Sequence, residues 1–347
     1  MSNSGSSHEN AKPRGRRVLR WLLSLGAIAI LAAGGFAWLV WQTFTAPGPA
    51  AAEGAAETIV VIDRGMGVSA IARRLSDAGV ITNIAVFRAG VMVLDRGGDL
   101  QAGEFAIPSG ASMEEIVLLL ADGQPVSFVV TIPEGKTSRM AVAILNDDPI
   151  LTGEITEVPP EGSLLPETYH YQRGTTRAEL IARMRADRDK LLEELWANRA
   201  PDLPFTTMEE AVILASIVEK ETGIASERPR IAGLFVNRMR IGMRLQSDPT
   251  IIYGLTGGEP LGRGIRRSEL DRETPYNTYL IDGLPPTPIC NPGRDALAAV
   301  LNPMQTDELY FVADGTGGHA FAKTLEEHNR NVAAWREIER RNAQGGN

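Results

Sequence analysis

"ILASIVEKET", Ile213 to Thr222, closes a run of uncharged residues, Ala211 to Val218, on Glu219, Lys220 and Glu221. Just ahead of it, Thr207-x-x-Glu210 has the spacing of a capping box, which predicts a helix starting at Met208. Gly223 stands just past the expected helix end. On a helical period Val212, Ser216 and Glu219 share one stripe, while Ala211, Leu214, Ala215 and Val218 cover most of the remaining surface. A helix apolar almost all round belongs at the centre of a domain. Two readings of its last turn stand side by side: a core helix fraying into water, or the housing of a catalytic acid. For Glu219, partial burial and the negative helix end both disfavour the ionised carboxylate, so a proton is expected there near neutral pH, as a general acid requires. Glu221 is expected to point roughly 200° away around the helix, so the two glutamates cannot form a close pair.

The chain has 347 residues, 44% of them apolar, which is room for two or three domains with real cores. Its formal net charge is −8, unevenly spread. Lys12, Arg14, Arg16, Arg17 and Arg20 face only Glu9 in the first twenty residues, so the remainder is more acidic than the total suggests. Such a body excludes a general binder of nucleic acid, whose phosphates demand a basic face. The basic residues instead flank "WLLSLGAIAILAAGGFAWLVW", Trp21 to Trp41, which carries no charge. That run spans roughly 30 Å as a helix, the thickness of a bilayer's hydrocarbon core. Trp21, Trp38 and Trp41 lie near its ends, and the arginines mark the cytoplasmic side. It exceeds the roughly 7–15 apolar residues of a secretory signal, so an uncleaved anchor is expected, with everything after residue 41 outside the cytoplasm. Cys290 is the only cysteine and is read as a small filler; no intramolecular disulfide is possible. His8, His170, His319 and His328 show no ligand spacing, so neither metal nor cofactor is expected.

"TAPGPAAAEGAAE" (Thr45–Glu57) is read as part of a flexible tether over 42–57, with a typical reach of about 20–25 Å. Folded sequence is expected from "TIVVID" onward. "VIDRGMGVSAIARRL", "AIPSGASMEEIVLLL" and "TIPEGKTSRMAVAIL" form a weak repeat in which a strand meets Gly65, Gly110 or Gly135 and a helix follows. With "NIAVFRAGVMVL" as a second helix, the order over 58–107 is βααβ, which resembles a LysM module, a small fold that grips N-acetylglucosamine polymers; a plain spacer is the other reading. Further on, "EGSLLPETYHY" reads as a loop and "TRAELIARMRADRDKLLEELW" as an amphipathic helix. "VNRMRIGMRLQSDPTIIYG" reads as short apolar pieces ending in a proline turn. "TPYNTYLIDGLPPTPICNPG" has the aromatic and amide content of a sugar-binding groove. "LYFVADGTGGHAFAKTLEEHN" reads as a strand, a glycine turn and a helix start; no P-loop lysine follows Gly315, Gly317 and Gly318. The fold class is therefore α+β: a basic tail (1–20), one transmembrane helix (21–41), the tether (42–57), a LysM-like module (58–125) and a larger α+β catalytic domain (126–340).

Taken in order, "IPEGKT", "EGSLLPETYHY", "ILASIVEKET", "VNRMRIGMRLQSDPTIIYG", "ETPYNTYLIDGLPPTPICNPG" and "LYFVADGTGGHAFAKTLEEHN" resemble the YceG-like, or MltG, endolytic murein transglycosylases of bacterial inner membranes. The resemblance covers nearly everything beyond the tether; "SLLPET" departs from a more aromatic "FPDT"-type loop. It implies a lyase that cleaves the β-1,4 bond between N-acetylmuramic acid and N-acetylglucosamine without water. The muramic 6-hydroxyl closes on C1 and leaves a 1,6-anhydro end, which would terminate nascent strands. Glu219 matches the family's catalytic glutamate, and one acid/base suffices where an ordinary glycosidase needs two carboxylates. Gln246, Asp248, Tyr276 and Asn277 are the candidate groove contacts. The implied partners are peptidoglycan glycan strands, the membrane and peptidoglycan synthases (penicillin-binding proteins). The implied location is the inner membrane, with a cytoplasmic N-terminus and a periplasmic catalytic domain. A muramidase-type hydrolase, with Asp248, Glu161 or Glu167 as second carboxylate, and a non-catalytic glycan-binding scaffold are the competing readings.

Overall fold

The computed structural model describes residues 14–345, so most of the expected basic tail, residues 1–13, lies outside the described residues. The chain divides into two compact units at Ser127/Phe128. The first holds α1 (Arg14–Thr45), β1 (Glu57–Ile62), α2 (Val68–Asp77), α3 (Ile84–Val93), β2 (Gly103–Pro108) and α4 (Met113–Asp122). In α1, Arg20–Thr45 is long and apolar enough to cross a membrane. β1 and β2 pair antiparallel, from Glu57 opposite Pro108 to Ile62 opposite Gly103. Their alternate residues Val60, Ile62, Phe105 and Ile107 turn inward onto Ile71, Leu75, Phe87 and Leu120. Asn83 caps α3 through the amides of Ala85 and Val86. Ser112 and Glu115 close a capping box on α4, as their spacing predicts. The repeat glycines Gly65, Gly110 and Gly135 have φ of 82°, 79° and 72°, a region that a side chain resists and that lets each strand turn into a helix.

The segment expected to be a flexible tether is irregular beyond Thr45 but pinned to the first unit. Phe44 is 1% exposed, in the core of the first unit. A Cβ on Gly90 would lie 2.1 Å from the Phe44 ring, so the ring rests directly on glycine backbone. Beyond it, Gly48 N–H donates to the Gly110 carbonyl and Gly110 N–H donates to that of Pro49 (both 3.0 Å). Ser109 N–H reaches the Ala56 carbonyl at 2.8 Å, and Ala51 N–H reaches Ser109 Oγ at 3.0 Å. Alanine, glycine and proline content signals freedom only when the backbone finds no partners; here the turn before α4 supplies them.

β3 (Ser127–Thr131) leads into the second unit, which continues with α5 (Ser138–Asp147), β4 (Thr168–Gln172), α6 (Arg177–Ala197) and α7 (Met208–Glu221). After them come α8 (Arg228–Arg240), α9 (Asp248–Thr256), α10 (Arg267–Leu270), α11 (Arg294–Leu301), β5 (Tyr310–Ala313), β6 (His319–Ala322) and α12 (Leu325–Gly345). α7 begins at the Thr207/Glu210 capping box, and every residue from Ala211 to Val218 is buried. It packs against α8 and α11 and is the centre of its core, as its all-round apolar surface requires. A second cluster joins Val130, Ile132, Leu145, Tyr169, Leu180 and Met184, from β3, β4, α5 and α6 and the residues beside them.

Three segments differ from their sequence reading. "EGSLLPETYHY" is not all loop: β4 pairs with β3 and turns Tyr169 and Tyr171 inward. Pro249 does not make a turn but sits in the first turn of α9, where its missing N–H is no loss. The glycine segment after β5 is the loop of a hairpin, with Tyr310 opposite Ala322 and Ala313 opposite His319.

Candidate active site

The last turn of α7 sends its two glutamates to different places. Glu219 is a side chain only 5% exposed. Its Oε2 accepts from Gly293 N–H at 2.9 Å, and its Oε1 accepts from Arg228 Nη2 at 3.3 Å. Arg228, buried at the start of α8, also meets Glu134 at 3.3 Å and Asp295 at 3.5 Å. Glu134 comes from the "IPEG" turn, and its carboxyl is pushed up by burial and then by the charge of Glu219. A Cβ on Gly293 would lie 1.8 Å from Glu134 Oε1, so a side chain there would push the Glu134 carboxyl aside. Three acidic side chains on one guanidinium make an ion-pair knot between α7, α8 and the start of α11, with Glu134 and Asp295 on its solvent side.

Glu221 lines a cleft of about 420 Å³ with Arg238, Gln246, Asp248, Tyr279, Tyr310 and His328. Ser247 Oγ donates to the Glu221 carboxylate, and Ser247 N–H is held by Thr278 Oγ1 at 3.0 Å. Burial first, and the negative Asp248 after it, push the Glu221 carboxyl up to about 7 against the opposing Ser247 bond and Arg238 charge. Tyr279 hydroxyl donates to Asp248 Oδ1 at 2.7 Å. Arg238 is buried, with its Nε on the Leu309 carbonyl at 2.7 Å and its guanidinium 5.8 Å from the Tyr310 ring centre. His328 stacks on Tyr310 at 5.2 Å, and burial and Arg238 both hold its imidazole below the usual range. Gln246 has φ of 50°, a left-handed conformation that costs a non-glycine residue about 1–3 kcal/mol.

Of the residues singled out in the sequence, Gln246 and Asp248 share this cleft with Glu221. Glu219 is gathered into the knot instead. Tyr276 packs edge-on against Tyr253 at 4.9 Å, and its hydroxyl meets Thr287 Oγ1 at 2.8 Å. Asn277 must be corrected: it is 1% exposed, its amide donates to the Leu270 and Arg272 carbonyls, and its oxygen accepts from Tyr279 N–H. A buried amide so fully used shapes the loop and has nothing left for a sugar. Glu161 accepts from Ser138 N–H at 2.8 Å, outside the residues that line this cleft, and burial pushes it up to about 7. Glu167 is exposed just before β4. Asp248 is therefore the one considered second carboxylate that lines the cleft with Glu221. Arg238, Tyr279, Tyr310 and His328 were not among the candidate site residues, although all lie in the segments quoted there. Cys290 is the buried filler expected, its Sγ 3.4 Å from the Ser216 carbonyl and its thiol pushed up by burial.

The segments that build the cleft and the knot lie inside a match to the YceG-like family over residues 60–334. The chain belongs to the YceG-like family. This YceG-like chain is 29% identical over 300 residues to the endolytic murein transglycosylase of Bacillus subtilis (strain 168), covering 78% of itself and 82% of that protein. It is 31% identical over 323 residues to the protein of the same name from Streptococcus pneumoniae serotype 2 strain D39, covering 79% of itself and 57% of that longer protein. Among solved structures, a YceG-like protein from Listeria monocytogenes is 30% identical, with 79% of this chain and 98% of that one covered at a TM-score of 0.49. The apolar helix α1 precedes the residues of the family match.

Proposed function

We propose that this chain is a membrane-anchored endolytic murein transglycosylase with Glu221 as its single acid/base. The observation that carries the assignment is a carboxyl pushed up to about 7 that lines a polar cleft with Gln246 and Asp248. Its relatives from Bacillus and Streptococcus, which bear that activity in their names, support the reaction class. A group titrating near neutral pH can both give and take a proton. Protonated Glu221 donates to the oxygen that bridges muramic C1 and the leaving glucosamine. The C1–O bond breaks with its electron pair on that oxygen, and positive charge develops at C1 and the ring oxygen. The Glu221 carboxylate then accepts the 6-hydroxyl proton as O6 bonds to C1, which closes the 1,6-anhydro ring and restores the acid. Ser247 holds the carboxylate in one orientation, and Asp248, steadied by Tyr279, supplies negative charge beside the developing cation. Glu219 fixes the helix end on Gly293 and Arg228, a positioning role.

α1 serves as the anchor, with the N-terminal arginines on the cytoplasmic side and both folded units on the periplasmic side of the inner membrane. Nascent glycan strands are the substrate this location favours, and the synthases that make them are the fitting partners. The βααβ order supports a LysM-like contact of the first unit with glycan.

One observation favours a second reading: Asp248 shares the cleft with Glu221. Retaining and inverting hydrolases need their two carboxylates about 5–5.5 Å or about 6.5–9.5 Å apart, and a hydrolase would leave reducing ends. Digestion of peptidoglycan with the full chain, followed by mass analysis of the new ends, separates the two. Anhydro ends are expected, one water lighter than reducing ends. Reducing ends would assign the hydrolase, and binding without cleavage would assign a scaffold.

A further inference from the structure

We infer that the first unit lies against the lipid surface of the membrane that α1 crosses, through the exposed apolar side chains of α3 and α4. The inference rests on the anchor reading of α1. Phe44, at the end of the apolar helix, is seated in the unit's core on the backbone of Gly90 in α3. One turn earlier, on the same face, Val40 is half-buried, while residues 20–39 of α1 are exposed. The folded unit therefore reaches down to the level of the apolar span rather than hanging above it. Trp41, a residue type at home in the interface, packs beside Phe44 at 5.7 Å.

α3 and α4 are the helices packed on α1. Outside α1, the exposed large apolar side chains among the described residues of this unit are Ile59, Met92, Val93 and Leu118, and all but Ile59 belong to those two helices. Met92 is 80% exposed and Val93 is 70% exposed. Val93 follows Gly90 by one turn on the face that bears Phe44. Met92 lines an open groove with Val68, Ala85, Arg88 and Asp95. Arg88, one turn before Met92, has the length to lay its stem on lipid and its guanidinium among phosphates. Val93 shares the Phe44 face, and Met92 extends the apolar surface to the neighbouring groove; water is a poor solvent for both, and the membrane interface is the apolar phase that removes them from it.

Cys290 is buried, so a cysteine introduced on this surface is labelled selectively. Met92→Cys and Val93→Cys, each carrying an environment-sensitive fluorophore, are reconstituted as full chains into phosphatidylethanolamine/phosphatidylglycerol vesicles with and without nitroxide-labelled lipids. Asp77→Cys, exposed on α2, is the reference. Blue-shifted emission and nitroxide quenching are expected at 92 and 93 but not at 77, because an interfacial helix face sinks about 5–10 Å into the headgroup boundary. If the protein floats with the vesicles while both labels keep water-like, unquenched emission, the inference is overturned and the face is left to a protein partner. If the protein does not float with the vesicles, the anchor itself fails and takes this inference with it.

Discussion

Glu219 and Glu221 are two residues apart on one helix, yet they occupy opposite kinds of surroundings. Both oxygens of Glu219 are taken, one by a backbone amide and one by a buried arginine shared with Glu134 and Asp295. Glu221 has a serine hydroxyl on one oxygen and a cleft in front of it. The helix supplies only direction; what faces each side chain decides whether it ties the fold or does chemistry. A carboxylate locked into an ion-pair knot is well placed to hold, and a desolvated one beside a cleft is well placed to exchange a proton.

Glu221→Gln is the strongest way to break this contrast. Cleavage is expected to fall by at least about 10²-fold, with folding and glycan binding retained, since glutamine can still accept from Ser247 but cannot donate and then accept a proton. Counting anhydro ends by mass spectrometry for this variant and for Glu219→Gln decides the assignment. Glu219→Gln is expected to act on stability: weakening a hydrogen-bonded charge contact beside buried Arg228 costs about 1–3 kcal/mol, read as a lower denaturant midpoint, with far less effect on cleavage. Loss of cleavage in Glu219→Gln at unchanged stability would reverse the two roles.

A finer test is pH. Activity should fall as pH rises through about 7, where Glu221 loses the proton it must donate. Stability should move in the same direction. The folded carboxyl sits above an unfolded value of about 4.3, so the folded state binds more protons between them and unfolding free energy declines as pH rises through that window. Glu161, also pushed up to about 7, adds a like slope. Glu221→Gln should therefore remove part of the slope together with cleavage, and Glu161→Gln the other part with cleavage intact, in paired melts at pH 5 and pH 8. Loss of cleavage in Glu161→Gln would place it in the chemistry. The smallest effect belongs to Gln246→Gly, expected to gain about 1 kcal/mol or less by relieving the left-handed strain while glycan binding weakens; unchanged affinity would remove Gln246 from the substrate contacts.

Local signals in the sequence survived into the structure. The Thr207/Glu210 box starts its helix at the expected residue, Met208, because capping is settled within four residues of chain. The short strands β4 and β6 were hidden, since each depends on a partner strand and carries few residues of alternation. Residues 42–57 misled for the same reason: composition reports what a segment can do alone, and this one is held by the turn before α4. In the site, Gln246 and Asp248 were picked out as polar residues in a segment read as a proline turn rather than as the start of α9, whereas the burial of Asn277 depends on carbonyls at Leu270 and Arg272 that no spacing rule anticipates. The pairing of Glu219 with Arg228 was likewise invisible in the helical period, which fixes an angle and not an opposing surface.

The seat of Phe44 on Gly90 also has a mechanical meaning. A coil between a membrane helix and a folded unit behaves as an entropic spring, which stretches under tension and lets the unit swivel freely. An aromatic ring clamped on glycine backbone inside a packed core has no such compliance. With α1 as the proposed anchor, sideways load on the first unit would be delivered to it as torque and tilt the helix in the bilayer, with the bilayer's own resistance to tilt as the restoring force.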